Sequence, residues 1–409
     1  MTPEIEKRIK AVQAGRQLNV RQEMKKIEDI FEETCEKNHP DAEVLTIIQG
    51  VGTVPREQSG REIIYDKSSL ASYKFVKKGD FIIHLRSFEG GLEVANSDGI
   101  VSPAYVILHP KIEVSTIYLY ALFHTNRFIN QTMAPAVEGA RDGRSVKYDV
   151  LKKQKILFPP LSEQKKIAEI LATQDRVIEL KEKLIAEKQS QKKYMINKLF
   201  FQETTRGSKK WETKRLIEVA SSISDGDWIE SDDQSAEGIR LIQTGNIGNG
   251  FFIDKESRAR FISEDTFSKL NCTEIFCGDL LLSRLPDPIG RVCIVPQFKG
   301  RMITAVDCTI IRFDREDLKK FFLYFAQTEQ YFNLVQKLAG GSTRKRISRR
   351  EVENIAFSFP IDSQDISFIL EVLSAADEEI SLLQKDLEQE KLKKKSLMQL
   401  LLTGLVRVQ

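Results

Sequence analysis

Cysteine is scarce in this chain, and the few cysteines present are not arranged for a disulfide framework or a metal. There are five among 409 residues, an odd number, and no two of them form a Cys-x-x-Cys pair. The four histidines are scattered and complete no zinc-binding spacing. We therefore expect no metal site, and a reducing, cytoplasmic environment.

Long apolar runs and a strong net charge are also missing. No stretch approaches the roughly 18 apolar residues that span a bilayer. Residues 1–21 are too charged for a signal peptide. We therefore expect no membrane partner. The net charge is only +3, so any affinity for nucleic acid must come from local basic patches.

Enzyme motifs are missing as well. The chain has no G-x-x-x-x-G-K-[ST] phosphate loop, no G-x-G-x-x-G turn and no Asn-Pro-Pro-aromatic run of the DNA amino-methyltransferases. A nuclease-like pattern joins Asp287 to Asp317 and Lys319. The last two lie at a predicted helix start, where acidic residues commonly complement the helix dipole. We therefore predict a non-catalytic chain with no catalytic residues and no cofactor of its own.

Two long heptad patterns are the clearest feature that is present. Segments 161–201 and 363–403 carry apolar residues seven positions apart, interrupted once by a lysine at the same place, Lys192 and Lys394. This spacing is typical of a coiled coil. The predicted interface residues are Leu171, Ile178, Ile185, Leu199, Leu373, Ile380, Leu387 and Leu401. The duplication favours pairing of the two copies within one chain; a solvated linker helix or a coiled coil between chains are the alternatives.

The segments that precede the two helices are also repeated. Residues 78–87 (KGDFIIHLRS) and 277–284 (CGDLLLSR) each contain a Gly-Asp turn, an apolar strand and an arginine. In both copies a β-rich run, a helix, a basic loop, another apolar strand and a proline follow in the same order. The pattern predicts a tandem duplication of an α/β unit (mixed α+β), each copy followed by a long helix.

These repeats divide the chain into five predicted segments. An N-terminal helical extension covers 1–24, a first globular domain 25–158, a central helix 159–203, a second globular domain 204–360 and a C-terminal helix 361–409.

Basic loops that contain glycine occur late in each globular segment and are the main candidates for DNA contact. Arginine and lysine neutralise phosphates, arginine pairs with guanine, and amide side chains pair with adenine. The candidate DNA-binding residues are Arg86, Arg141, Arg144, Lys147, Gln243, Asn246, Arg284, Arg344, Lys345, Arg346 and Arg349. A charge run is also compatible with plain solvated surface, and asparagine in a glycine-rich turn with a structural role. Recurrence of the loop at equivalent places favours binding.

The layout resembles the specificity subunit of a type I restriction–modification system. The matching features are the two Gly-Asp-strand segments, GIVSPAY at 99–105, PPLSEQKKIAEIL at 159–171 and KKKSLMQLLLTG at 393–404. The similarity extends from about residue 25 to the end of the chain, and it depends on the order and duplication of the motifs.

This resemblance implies two target-recognition domains, each reading one half of a bipartite site in double-stranded DNA. It implies that the two helices form an antiparallel coiled coil that joins and separates these domains. The implied partners are two methyltransferase (modification) subunits and restriction/translocase subunits, which would bring S-adenosylmethionine, ATP and Mg²⁺. Because the two globular segments share little beyond their framework, the two half-sites should differ. The alternative interpretation is a coiled-coil adaptor whose two domains bind proteins.

Overall fold

A computed structural model describes residues 23–60, 67–83, 90–139, 145–201, 210–341 and 345–408. Most of the predicted N-terminal extension lies outside these residues. The strands are β1 (Met24–Lys26), β2 (Phe31–Thr34), β3 (Leu45–Ile48), β4 (Gly52–Pro55), β5 (Lys74–Val76), β6 (Phe81–Ile83), β7 (Leu92–Val94), β8 (Gly99–Val101), β9 (Val106–Pro110), β10 (Val137–Glu138), β11 (Ser145–Val146), β12 (Lys155–Leu157), β13 (Trp211–Arg215), β14 (Ser222–Asp225), β15 (Gln234–Ser235), β16 (Ile239–Ile242), β17 (Arg260–Ile262), β18 (Glu274–Ile275), β19 (Leu280–Ser283), β20 (Val292–Ile294), β21 (Met302–Thr304), β22 (Cys308–Arg312) and β23 (Ala356–Pro360). The α-helices are α1 (Ile27–Ile30), α2 (Thr116–Phe123), α3 (Tyr148–Leu151), α4 (Leu161–Phe201), α5 (Leu216–Val219), α6 (Glu264–Leu270), α7 (Glu316–Phe325), α8 (Glu329–Leu338), α9 (Arg349–Glu353) and α10 (Ser363–Leu402).

The chain forms two compact units, and each contains one globular segment and part of the helix pair. Unit 1 comprises residues 1–182 and 385–409, and unit 2 comprises residues 183–384. Helices α4 and α10 therefore each contribute residues to both units. The predicted fold class, a mixed α/β chain with a long helix between its two domains, is confirmed.

Both units are built on a four-stranded antiparallel sheet with the same strand order. The order is β2-β9-β6-β7 in unit 1 and β14-β22-β19-β20 in unit 2. The register matches too, because Phe81 pairs with Leu108 in one sheet and Leu280 pairs with Ile311 in the other. The duplication predicted from the motifs is therefore present in the strand pairing of the described residues.

The central strands of these sheets are apolar on both faces because both faces are covered. In unit 1, Phe81 packs among the side chains of α2, whereas the next residue, Ile82, packs among those of β3, β5 and β8. Leu280 and Leu281 alternate between two cores in the same way in unit 2. Successive strand residues point to opposite faces, so a strand with two covered faces reads as an unbroken apolar run.

The Gly-Asp pair that precedes each central strand forms the same turn in both units. Gly79 and Gly278 have φ of 94° and 91°, a conformation that favours glycine. The aspartate that follows, Asp80 or Asp279, accepts a hydrogen bond from the backbone N–H three residues earlier, at 2.8 Å and 2.9 Å. Each repeated dipeptide thus turns the chain into the central strand.

The long helices begin next to short strand pairs that close each globular segment. Strand β1 pairs with β12, and β13 pairs with β23. In unit 1 the Gln164 amide at the start of α4 donates to the Pro159 carbonyl at 2.9 Å and accepts from the Ser115 N–H at 3.0 Å. In unit 2 the side chain of Asp362 instead accepts from the Gln364 N–H at 2.9 Å. The two helix starts are therefore held by different side chains.

Within unit 1, the first half of α4 and the last part of α10 run antiparallel. Leu171, Leu387 and Leu401 are buried, and Ile178 is half-buried. The Gln174 amide donates to the Glu390 carboxylate at 2.6 Å. Further along α4, Lys181 pairs with Asp386, and Glu182 pairs with Lys391 at 3.0 Å. The pairing of Lys394 with Asp175 places the second interrupting lysine against an acid on the opposite helix.

Within unit 2, the remaining parts of the two helices pair in the same sense. Ile185, Leu199, Leu373 and Ile380 are buried. Lys188 lies 2.6 Å from Glu379, and Lys192 lies 2.5 Å from Asp377. Because the residue number rises along α4 while that of the partner falls along α10, the helices are antiparallel. Seven of the eight predicted seam residues are thus buried and Ile178 is half-buried, and the polar seam position Lys192 has an acidic partner.

Candidate nucleic-acid interface

In unit 2, several strand ends meet at one end of the two sheets. The Gly226 N–H, just after β14, donates to the Cys308 carbonyl at 2.9 Å. The Ala305 N–H donates to the Ile242 carbonyl at the end of β16, also at 2.9 Å. Arg284, directly after β19, donates its backbone N–H to the Asp307 carbonyl at 2.9 Å. The loops that leave these strands therefore form one contiguous surface, which we call the loop end of unit 2.

The basic segment 345–350 is attached to this loop end. Ile347 is fully buried, and its N–H donates to the Arg284 carbonyl at 3.3 Å. Arg346 exchanges two backbone hydrogen bonds with Gly340, of 3.0 Å and 2.9 Å, and its guanidinium lies 3.0 Å from the Asp307 carboxylate. Lys345 is exposed beside it. The segment thus has a buried anchor and exposed cationic side chains, the arrangement that phosphate contact requires.

Arg349 is exposed at the start of the short helix α9. Its guanidinium lies 3.2 Å from Glu353, one turn later. The Ser348 hydroxyl caps this helix by accepting from the Glu351 N–H at 3.2 Å. An exposed ion pair of this kind contributes little to stability and leaves the cation accessible to a phosphate.

Arg284 was predicted as a DNA contact, but its side chain is buried, with 4% of the residue exposed. Its guanidinium lies 3.3 Å from the Asp225 carboxylate and donates to the Val306 carbonyl at 2.5 Å. Burial lowers the pKa of Arg284, and the Asp225 carboxylate acts in the opposite direction. This position argues against a direct contact with DNA and for a structural role.

Asn246 is also buried and has a structural role. Its side-chain oxygen accepts from the Gln243 N–H at 3.0 Å, and its side-chain amide donates to the Ile253 carbonyl at 2.9 Å. These bonds close the turn that follows β16, so the Asn246 side chain is occupied within the fold. Gln243 itself is half-buried at the loop end. Of the two amides predicted to read bases, Asn246 is thus bonded within the fold, and base reading by Gln243 stays a prediction.

In unit 1, Lys147 is exposed immediately after the hairpin of β10 and β11. Its backbone N–H donates to the Ala136 carbonyl at 2.8 Å, which ties the hairpin base to helix α3. Four of the predicted contacts lie outside the described residues: Arg86, Arg141, Arg144 and Arg344.

Arg291, which no sequence pattern predicts as functional, holds two loops together at the loop end. Its guanidinium donates to the carbonyls of Ile247 at 2.8 Å, Thr244 at 3.2 Å and Pro288 at 3.1 Å. Burial lowers the pKa of Arg291, with Asp287 acting in the opposite direction. A lone arginine after a glycine carries no recognisable sequence signal, so its partners became apparent only in the fold.

Two residues of the nuclease-like pattern, Asp317 and Lys319, have structural partners. The Asp317 carboxylate lies 2.6 Å from Arg315 and accepts from the Leu318 N–H at 2.9 Å, and its hydrogen bond with Arg315 lowers its pKa. Lys319 donates to the Gly278 carbonyl at 2.8 Å. Across the described ranges, no group of three or more His, Cys, Asp or Glu residues could hold a metal ion. None of the described helices is long and apolar enough to cross a membrane.

Comparison with known proteins identifies the family. The type I restriction modification DNA specificity domain matches the chain twice, at residues 19–188 and 208–392. The type I restriction enzyme MjaVIII specificity subunit of Methanocaldococcus jannaschii is 27% identical over 357 residues, which cover 81% of this chain and 80% of that protein. The putative MjaX specificity subunit of the same organism is 26% identical over 363 residues, covering 84% and 81%.

Solved structures show the same fold. A chain from a study of complex assembly and conformational transition of the type I R-M system has a TM-score of 0.61 at 15% identity, covering 95% of this chain and 98% of that one. The type I restriction–modification S subunit from M. genitalium has a TM-score of 0.51 at 14% identity, covering 94% and 97%. The two family-model matches, which together cover most of the chain, show that it belongs to the type I restriction–modification specificity subunits, a family of non-catalytic proteins that provide DNA recognition.

Proposed function

We propose that this chain reads a bipartite, asymmetric site in double-stranded DNA, with each unit reading one half. This proposal rests on the four-stranded sheet and the Gly-Asp turn, which both occur twice, and on the basic sequence late in each globular segment. Phosphate contacts from Lys147 in unit 1 and from Lys345, Arg346 and Arg349 in unit 2 would position the protein. Side chains of the differing loops would then specify the bases. Because the two loops differ in sequence, the two half-sites are expected to differ.

We further propose that the helix pair binds the methyltransferase subunits, and that restriction subunits join the assembly, as the family implies. In unit 2, Leu184 and Leu382 are exposed, at 39% and 57%. Neither belongs to the buried seam, so both are available to a partner helix. These exposed leucines are the positions that we propose for contact with the methyltransferase subunits. S-adenosylmethionine, ATP and Mg²⁺ would be held by the partner subunits, and the whole complex would act in the cytoplasm.

Selection from a pool of random duplex DNA tests this function. The full chain is incubated with the pool, alone and with the methyltransferase subunit of the same host, and bound DNA is recovered and sequenced. We expect enrichment of two unlike short motifs at a constant separation. Recovery of DNA without a common motif, together with normal binding of the methyltransferase subunit, would instead support the adaptor function.

A further inference from the structure

We propose that Arg284 is a positioning residue for the second DNA half-site, acting through the basic segment 345–350 without touching DNA. This inference rests on the proposed function, because it names the residue that holds the DNA-reading loop of unit 2.

Arg284 connects three segments of the loop end. Through its guanidinium it reaches Asp225, at the end of β14, and the Val306 carbonyl. Its backbone N–H donates to the Asp307 carbonyl at 2.9 Å, and its own carbonyl accepts from the Ile347 N–H at 3.3 Å. A residue with both side-chain and backbone bonds to these segments fixes their separation.

Asp307 links this anchor to the exposed cations. Its carbonyl accepts from Arg284, while its carboxylate lies 3.0 Å from the guanidinium of Arg346. Asp225 and Arg284 are thus joined by their side chains, Arg284 and Asp307 by their backbones, and Asp307 and Arg346 by their side chains. A change at Arg284 displaces Asp307 and the Ile347 backbone, and both displacements move Arg346 relative to DNA.

Two observations separate positioning from direct contact. Arg284 is almost fully buried and its guanidinium faces Asp225 and the Val306 carbonyl, so a phosphate or base has no access to it. Asp307, in contrast, is an acid next to DNA in this account, and simple electrostatics would make it unfavourable there. Its placement between two arginines is explained by its role in holding them.

Asp307→Asn distinguishes an effect of net charge from a positioning role of Asp307, because the first changes affinity and the second changes the preference for the second half-site. If net charge alone mattered, removing an acid would strengthen DNA binding. If Asp307 positions Arg346, whose phosphate contact sets the register of the base-reading loop, the preference for an intact over a scrambled second half-site falls, by about tenfold or more when one well-placed base pairing is lost. The preference for the first half-site should not change. Asp314→Asn is the matched control, since Asp314 lies beyond the other end of β22 and is exposed.

The experiment measures the dissociation constants of the full chain, with its methyltransferase partner, for the selected site and for the site with either half scrambled. Arg284→Met should reduce the second-half preference as Asp307→Asn does, and Arg284→Lys should reduce it less because the charge facing Asp225 is kept. Combining Arg284→Met with Arg346→Ala should cost no more than the larger single effect, because both act through the same guanidinium of Arg346.

The outcomes are distinguishable from a failure of the proposed function. If the unmodified chain shows no preference for either half-site, DNA recognition itself is contradicted. If it discriminates both halves but Asp307→Asn and Arg284→Met leave the second-half preference intact, the positioning role is wrong. Fully additive losses in the double variant would also overturn it. Should Arg284→Met not fold, Arg284→Lys decides, because it keeps the charge that faces Asp225 and loses the guanidinium that reaches the Val306 carbonyl; an unchanged second-half preference in that variant would overturn the role.

Discussion

At the scale of single residues, the repeated Gly-Asp turn shows how one motif acquires different partners in the two units. The Asp80 carboxylate lies 2.6 Å from the His109 ring, whereas Asp279 accepts two hydrogen bonds from Arg312, at 3.0 Å and 2.9 Å. His109 and Arg312 occupy the same position on the equivalent strands β9 and β22. Each is the residue that directly follows the strand partner of Phe81 or Leu280. The turn was predictable from its dipeptide, but its basic partner about 30 residues later was not.

The exposed cations of the basic segment should carry salt-dependent DNA binding. Changing Lys345 and Arg346 to alanine should weaken binding and reduce the slope of log K against log salt by about 0.9 for each phosphate that is no longer neutralised. Fluorescence anisotropy over a salt series measures this slope. The matched control is alanine at Lys320 and Lys337, two exposed lysines on α7 and α8. An unchanged slope in the first variant would assign the segment to ordinary solvated surface.

His124 in unit 1 should make stability depend on pH. Its two ring nitrogens lie 2.8 Å from the Tyr120 carbonyl and 3.1 Å from the buried Glu93 carboxylate, so both act as donors only in the protonated ring. Burial lowers the pKa of His124, but the hydrogen bonds to Glu93 and Tyr120 outweigh it and the pKa is raised. A raised folded pKa contributes stability that is complete below the unfolded value of about 6.5 and is lost as the pH rises through the folded value.

His124→Gln removes this contribution. Hydrogen bonds to charged groups are worth about 1.5–3 kcal/mol, so the parent chain should be more stable than the variant at low pH by about that amount. Thermal unfolding at pH 5.5 and pH 8.5 should show a gap between the two chains that narrows at the higher pH. A gap that stays constant or widens would contradict the protonated pair.

Residues predicted to contact DNA illustrate why a site is harder to predict than a fold. Arg284 and Asn246 had the right chemistry and lay in the right loops, yet their side chains are buried against Asp225 and Ile253. Burial is decided by such tertiary partners, which no local pattern contains.

At the scale of elements, the helix pair was the most predictable part of the molecule. A heptad pattern fixes which side chains form a seam, and every predicted seam residue is buried or half-buried. The polar details were not predictable. Lys192, an interruption in the pattern, contacts Asp377 and lies 3.1 Å from the Gln327 amide oxygen. The Tyr324 hydroxyl donates to the same Asp377 at 2.8 Å, so one seam lysine ties the helix pair to the globular part of unit 2.

A charge placed in the seam should separate the two helices. Ile185→Asp puts an unpaired carboxylate in the contact with α10 and should cost several kcal/mol. Thermal unfolding should show a lower midpoint, and a pull-down should show that the methyltransferase subunit no longer binds. Leu382→Asp is the matched control for the unfolding midpoint, because it adds the same charge at an exposed position outside the seam. It should leave the midpoint unchanged while weakening the pull-down, and normal stability of Ile185→Asp would contradict the seam.

At the scale of the whole molecule, the fold prediction depended mainly on the internal duplication of the sequence. Two copies of one framework restrict the possible topologies more strongly than either copy alone, and both the strand order and the register agree between units. Duplication carries no information about which bases are read. That depends on the loops, where the two copies differ most and where several candidate residues lie outside the described part of the chain.

Because each duplicated unit is followed by a long helix, we also propose that helix length sets the spacer, the number of base pairs between the two half-sites. Because Lys188 contacts Glu379, insertions after Leu184 and after Leu382 lie opposite each other. Seven residues at each point preserve the heptad seam and add about 10 Å per helix. The spacer selected from random DNA should grow by about three base pairs at 3.4 Å each, with both half-site sequences unchanged. A selected site with the original spacer would contradict this prediction.

The most direct test of the central claim, that this chain specifies a two-part DNA site, is methylome sequencing of a host with and without the gene. The account predicts a methylated motif that consists of two unlike short sequences separated by a constant number of unread base pairs. That motif should disappear when the gene is deleted and return when it is restored. An unchanged set of methylated motifs after deletion, or the loss of a single uninterrupted motif, would contradict the account.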